Sequence, residues 1–484
     1  MKRDYSVDNR AIFGLVLLVF ILKLSLLPFA QTTDADAVSR VFLSLNWLEH
    51  PHWIKTSVWA PFHFYITGFA LYLWNDLVYS PKVVNLIFSS LTLIPFYFFT
   101  KREFNKNGAF IAAVFLAFSP VLFRNSFLAL SETPYLFFLM LSLNYLSRGI
   151  RENSQGFIAL AGVSITIAAG LRYEAWLLMI ILGAVLLVYK KWRLVPVYSL
   201  TSLLFPISWI ISNWMETGNP MHGIQGNYKW TLEMMGNNDY IDLEEYARRI
   251  WFFPFAWMIA IGIPTGFIIL KTLFKGYLTK TRSLKIIIYS LPFLIMFGFF
   301  MYNAFKGVLL LQQRFSGTLV MLSLPFIAMF FERLDAKKVK QAIGFGLFPV
   351  IMSFLWNTSG VKMLPRLQDQ SAVEITTISN KNLSYTSALI IDNLGWENTY
   401  YIALNTNIPH QNILINGGAK NSKIPFDRIT DLIQNFQTGV VLLQKNSPLS
   451  NWILDENFEV NHKKLKFKRI YENDEVICYR FSLR

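Results

Sequence analysis

One cysteine, Cys478, among 484 residues excludes two kinds of chemistry. No intramolecular disulfide can form, and no cluster of thiolates can hold a metal. The chain also has no GxxxxGK[S/T] or GxGxxG stretch to cradle nucleotide phosphates, which counts against a pump driven by its own ATPase site. Charge is scarce. Charged residues make up 15% of the chain and hydrophobic ones 54%, more apolar surface than an ordinary soluble protein can bury. The composition is that of a polytopic membrane protein. The first apolar run, 11–30, stands behind a short basic head but lacks a small-residue cleavage site, so it reads as a retained helix and not a signal peptide.

Apolar stretches long enough to span lie at 11–30, 82–100, 108–126, 134–148, 156–172, 175–189, 194–213, 251–270, 285–304, 315–331 and 342–356. That makes about 11 spans. A further run, 61–79, fixes the sidedness of everything after it. If it does not cross, the clusters KREFNK, YKKWR, KTLFKGYLTKTRSLK and RLDAKKVK all share the side of the basic N-terminus, as the positive-inside rule asks. It is therefore read as an interfacial or re-entrant helix on the outer face, anchored by Trp59, Trp74 and Tyr79. Most of the net charge of +15 then faces the cytoplasm, where it attracts anionic headgroups and gives no sign of a nucleic-acid partner. The N-terminus falls in the cytoplasm and the C-terminal region outside the membrane.

That parity collects the unusual polar residues on one rim. Asp34 and Asp36 in TTDADAVSR share it with Glu132 in LALSETPYLFF, with Arg172 and Glu174 in GLRYEAW, and with Lys306 and Arg314 in NAFKGVLLLQQRF. Each alone reads as a solvated helix end; converging on one face they read as a site. From about 359 the composition becomes that of a soluble domain. SALIIDNLGW and GVVLLQK read as buried strands, PFDRITDLIQNF as an amphipathic helix, and KFKRIYENDEVICYRFSL as a hairpin around Asn473. The expected fold is mainly α: a polytopic transmembrane helix bundle over 1–358, with an outer loop at 31–81, followed by an extracytoplasmic α/β domain over 359–484.

The order of these motifs resembles that of integral-membrane glycosyltransferases of the GT-C class. An acidic pair after the first helix precedes WAPFHFY, then VNLIFSSLTLIPFYFFTKREF, then AFIAAVFLAFSPVLFRNSFLALSETPYLFF and GLRYEAW, and later QQRFSGTLVMLSLP. Over about residues 5–335 the likeness is to the dolichyl-phosphate-mannose protein mannosyltransferases and the aminoarabinose transferases. The resemblance implies transfer of a sugar from a polyprenyl-phosphate donor on the outer face, usually with inversion. It puts Asp34 and Asp36 in the place of the first-loop catalytic or metal-associated carboxylate, Glu132 in that of the second acidic position, and Arg314 in that of the basic residue before the tenth helix. Where many relatives carry Asp-Glu, this chain has Asp-Ala-Asp, and the lysine often found beside the proline segment is missing before Pro61.

The chemistry agrees. A hydroxyl is a poor nucleophile at neutral pH and needs a carboxylate to accept its proton, and a phosphate leaving group needs a fixed cation. Asp36, with Asp34 and Glu132, supplies the first; Arg314, Arg172 or Lys306 supplies the second, with Glu174 and His63 as further substrate contacts. A divalent metal ion, held with His50, His52 or His63 beside Asp36 or Glu132, is a further option, although HPH is no recognised ligand spacing. Membrane lipids are the expected surroundings. The rival reading is a secondary transporter, which asks for mid-bilayer ionisable residues and inverted repeats; Lys23 is the one basic residue away from the ends of a span. Two N-x-S/T triplets, at Asn357 and Asn382, would face outward. The sugar and the acceptor are not written in any motif.

Overall fold

Every apolar stretch of the sequence carries helix, but the helices are shorter and more broken than straight spans. The structure, a computed structural model, describes residues 9–32, 34–55, 57–235, 243–278, 283–355, 362–365, 367–392, 394–415, 435–445, 447, 459–460 and 463–483. Among them, four helices are long and apolar enough to cross a bilayer: Arg10–Phe29, Tyr79–Glu103, Ile288–Phe305 and Ala336–Leu355. Two bent pairs, Trp192–Ser202 with Leu204–Thr217 (42°) and Leu243–Ile261 with Ile263–Leu278 (106°), raise the number to 6.

The expectation of about 11 spans is corrected to this smaller set, and each shortfall has a local cause. In 108–126, the helix Lys106–Ala117 stops and Pro120 opens a separate turn, Pro120–Asn125, at the position where a missing N–H costs least. In 315–331, Pro325 starts a 3-10 turn, Leu324–Met329, after the short helix Ser316–Ser323. Gly262, with φ +82°, makes the sharp elbow in 251–270, a backbone conformation that a side chain resists. The helices Gln155–Leu171 and Glu174–Val188 have 17 and 15 residues. At about 1.5 Å per residue they stop short of the roughly 30 Å hydrocarbon core. The run 61–79 holds only the 12-residue helix Phe62–Leu73, which fits a segment that lies at the interface.

Close packing holds the bundle where hydrophobic burial cannot, since lipid tails are as apolar as the core. Ala109, Ala112 and Ala113 are fully buried on the helix Lys106–Ala117. A Cβ on Gly108 would lie 2.1 Å from the Ala328 carbonyl oxygen, so only glycine lets this helix meet the 3-10 turn.

The C-terminal part builds a mixed sheet from β1 (Ala388–Ile391), β2 (Ile413–Ile415), β3 (Thr438–Gln444), β4 (Glu459–Val460), β5 (Lys463–Glu472) and β6 (Val476–Leu483). The order is β2-β1-β3-β6-β5-β4. β2, β1 and β3 run parallel, β3, β6 and β5 antiparallel, and β4 is a two-residue ladder on β5. β1 is buried along its whole length, as a parallel strand covered on both faces should be. Asn473 turns the β5–β6 hairpin, its side-chain oxygen accepting from the Glu475 and Val476 N–H groups at 2.9 and 2.7 Å. The SALIIDNLGW segment gives strand only over β1, because Gly395 (φ +81°) leads into a helix, Trp396–Asn405. Most of PFDRITDLIQNF and the triplet at Asn357 lie outside the described residues.

Candidate active site

Asp34 caps the helix Ala35–Glu49, its side chain accepting the Asp36 N–H, and so Asp36 and Arg40 emerge one turn apart on the same helix face. Glu132 opens the helix Glu132–Glu152, Arg172 follows directly on Gln155–Leu171, and Glu174 opens Glu174–Val188. Arg314 comes from the 3-10 turn Gln313–Phe315. Four separate chain segments thus deliver charge to one place.

There the charges interlock. Arg314 Nη1 lies 3.1 Å from Asp34, its Nη2 donates to Asp36, and its Nε is 3.4 Å from Glu132. Arg172 reaches Glu132 at 2.7 Å and Glu174 at 2.6 Å. Both guanidiniums flank the Phe315 ring, at 5.0 and 5.4 Å from its centroid. Burial opposes a charge on Glu132, but Arg172, Arg314 and Arg40 outweigh it and hold the carboxyl down to about 2. Glu132 is therefore an anchor for cations and a poor proton acceptor. At Asp34 the balance is reversed: burial pushes the carboxyl up, against the pull of Arg314.

Asp36, Arg40, Glu132, Arg172, Glu174 and Arg314 line a cavity of about 340 Å³. Trp59, Tyr173, Trp176, Phe315 and the helix His222–Met235, through Ile224, Asn227, Tyr228, Trp230 and Thr231, make the remaining walls. Asp34 does not line it. His63 is buried behind the wall with burial, and then Arg40, pushing its pKa down to about 3, which keeps it neutral. Lys306 is exposed beyond the helix Ser283–Phe305 and does not line the cavity either. His50 and His52 sit at the surface, joined by a 2.6 Å contact between the His52 ring and the His50 carbonyl. Among the described residues no three His, Cys, Asp or Glu side chains are arranged to hold a metal. The donor set does not fit a divalent ion, because the Arg314 guanidinium fills the space between the three carboxylates of Asp34, Asp36 and Glu132.

Arg40 is the charged residue of the cavity wall that sequence reasoning passed over. It is buried, stacks over Trp59 at 4.7 Å, and its Nε and Nη1 have no hydrogen-bond partner among the described residues. Burial lowers its pKa to about 10, still charged at neutral pH. The available signal was its spacing, four residues after Asp36, which puts both on one helix face. On the carboxylate side, Glu132 Oε2 is likewise buried without a partner.

The same fold occurs in the oligosaccharyltransferase of Archaeoglobus fulgidus in its apo form, with a TM-score of 0.55, 12% sequence identity, and coverage of 90% of this chain and 70% of that one. The ArnT of Cupriavidus metallidurans, also apo, aligns over 97% of both chains at 11% identity, with a TM-score of 0.49. A comparison with curated proteins finds no match. At 12% identity the likeness to the oligosaccharyltransferase shows the fold of this chain. Within it, residues 50–214 match the family model described as dolichyl-phosphate-mannose-protein mannosyltransferase.

Proposed function

We propose that the chain transfers a sugar from a polyprenyl-phosphate carrier to a hydroxyl of a lipid, glycan or protein at the outer face of the membrane, with inversion at the anomeric carbon. One observation carries this reading. The cavity holds a carboxylate on its wall, Asp36, and a buried guanidinium, Arg40, whose Nε and Nη1 have no hydrogen-bond partner and which, unlike Arg172 and Arg314, makes no ion pair among the described residues. Arg314 and Arg172, which the sequence offered for the phosphate, are engaged by Asp34, Asp36, Glu132 and Glu174. Arg40 takes the phosphate in their place, and they hold the carboxylates in position.

The acceptor oxygen attacks the anomeric carbon while Asp36 takes its proton. The bond from that carbon to the phosphate oxygen breaks, and its electron pair stays on the phosphate beside Arg40. Glu132, kept ionised, accepts a hydroxyl hydrogen from the sugar through Oε2. Lys306 and His63 have no part. The helical region over 1–358 carries the reaction and the segment after 359 stands outside the membrane with it; the basic clusters lie on the cytoplasmic side.

Mass spectrometry of lipids co-purified with the protein tests the donor class. A polyprenyl-phosphate sugar is the expected finding. Recovery of bulk phospholipid alone, even after incubation with polyprenyl-phosphate mannose, overturns the reading.

A further inference from the structure

The acidic segment is gripped from two sides. From the membrane side, Lys82, buried on the helix Tyr79–Leu91, donates to the Ala30 carbonyl at 2.7 Å and lies 3.5 Å from that of Gln31. From the C-terminal side, the Gln368 backbone N–H donates to Gln31 Oε1 at 3.0 Å, and the Gln368 side-chain amide donates to Asn398 at 2.6 Å. Asn398 belongs to the helix Trp396–Asn405, which packs on the sheet. A hydrogen-bonded path therefore runs from the sheet domain to a residue three positions before Asp34.

The same helix grips Ala35–Glu49 from behind. Leu404 is buried with Ala37, Val38 and Val41, the face opposite the cavity, and Tyr400 is hydrogen-bonded to Ser39. Farther along, the His410 ring contacts Asn46 Oδ1 at 2.7 Å and stacks on Phe42 at 6.0 Å. Nothing in this contact touches the cavity, yet it fixes the helix whose other face presents Asp36 and Arg40.

We infer that the C-terminal domain is a positioning element for the reaction, with Gln31, Gln368 and Asn398 as positioning residues that hold Asp36 and Arg40 at working distance. The inference rests on the transfer reading above for its effect on rate. Its structural half stands apart, since it concerns the rigidity of one helix. Displacing a reacting group by about 1 Å lowers a rate by as much as ~10²-fold.

The test uses the full chain in detergent. Asn398→Leu and Gln31→Met remove an acceptor; Asn398→Asp and Gln31→Glu keep one. Amide hydrogen exchange across residues 34–40 should quicken at least about tenfold in the first pair and stay at the parent rate in the second. Exchange in the helix Gln155–Leu171 should be the same in all five proteins. Turnover with polyprenyl-phosphate mannose should fall about tenfold or more and donor KM should rise in the first pair, both staying at the parent values in the second. Parent-like exchange in both Asn398→Leu and Gln31→Met overturns the inference without touching the transfer reading. Quickened exchange with parent-like turnover, in a protein that Asp36→Asn inactivates, overturns the positioning role alone. Parent-like turnover in Asp36→Asn itself counts against the transfer reading. Should Asn398→Leu not fold, Gln31→Met decides the matter, because Gln31 lies in a linker outside the sheet.

Discussion

Asp34 Oδ1 accepts the backbone N–H of Asp36 at 3.0 Å. Two aspartates that look equivalent in the sequence are thereby given different work: the first caps a helix and the second lines the cavity. Asp36→Asn should lower turnover by ~10²- to 10⁴-fold with an unchanged folded yield, the loss expected when a general base can no longer accept a proton. Asp34→Asn, which can still cap, should be much milder. Transfer rates measured on sealed, right-side-out vesicles separate the two, and equal losses would show that the aspartates act as a pair.

Arg40 and Arg314 should fail in different ways. Arg40→Ala should weaken binding of decaprenyl phosphate by roughly 10- to 100-fold, the worth of a charge-assisted hydrogen bond, and Arg40→Lys should restore it only in part. Arg314→Ala leaves three carboxylates facing one another, so its main effect should be a lowered Tm. Titration of the purified protein with the lipid, beside thermal unfolding, gives both readings.

Glu132 carries a pH signature. Its folded pKa, about 2, is depressed below the ordinary carboxylate value, so its contribution to stability is fully present above that ordinary value and is lost as pH falls toward 2. Glu132→Gln should therefore be destabilised by about 3–5 kcal/mol at neutral pH, the cost of leaving buried guanidiniums without their partner. The gap to the parent should hold steady from pH 8 to 5 and narrow below roughly pH 4. A gap that narrows already between pH 8 and 6 would mean that another group titrates.

Sidedness is open to labelling. Cys478 is fully buried, so the parent chain is a silent background. Tyr385→Cys, at an exposed position before β1, should react with a membrane-impermeant maleimide on intact cells. Arg151→Cys, exposed at the end of the helix Glu132–Glu152, should react only after the membrane is breached. The reverse pattern would move the cavity to the cytoplasmic face.

Much of the site could be read from the chain because charge is rare within it. Asp34, Asp36, Glu132, Arg172, Glu174 and Arg314 stand out against apolar surroundings, and the structure brings all of them together. The roles were harder. Whether a guanidinium faces a ligand or a carboxylate depends on long-range pairing such as that of Arg314 with Asp34 and Asp36, far away in sequence, and no local pattern encodes it. Lys306, placed on the rim by the span parity, and His63, placed there by nearness to the acidic loop, do not line the cavity. The helix ends failed for a different reason: hydropathy measures how apolar a stretch is, and is blind to breaks such as those at Pro120, Gly262 and Pro325. In the C-terminal part, alternation and turn chemistry found β1, β3 and the Asn473 hairpin, while the parallel pairing of β2 on β1 came from crossover contacts without a local mark.

If the proposed reaction holds, the charged cluster has a bearing on how the site resets. By formal charge, Asp34, Asp36, Glu132 and Glu174 exceed Arg40, Arg172 and Arg314 by one, so the empty site is already slightly anionic. On the proposed reaction the phosphate gains negative charge as it loses the sugar, while Asp36 becomes neutral by taking a proton. Once that proton moves on, to the phosphate or to water, the departing lipid faces a wall whose charge it shares. The arrangement that fixes the reactants then works against the spent carrier, and product release is coupled to the return of Asp36 to its carboxylate form.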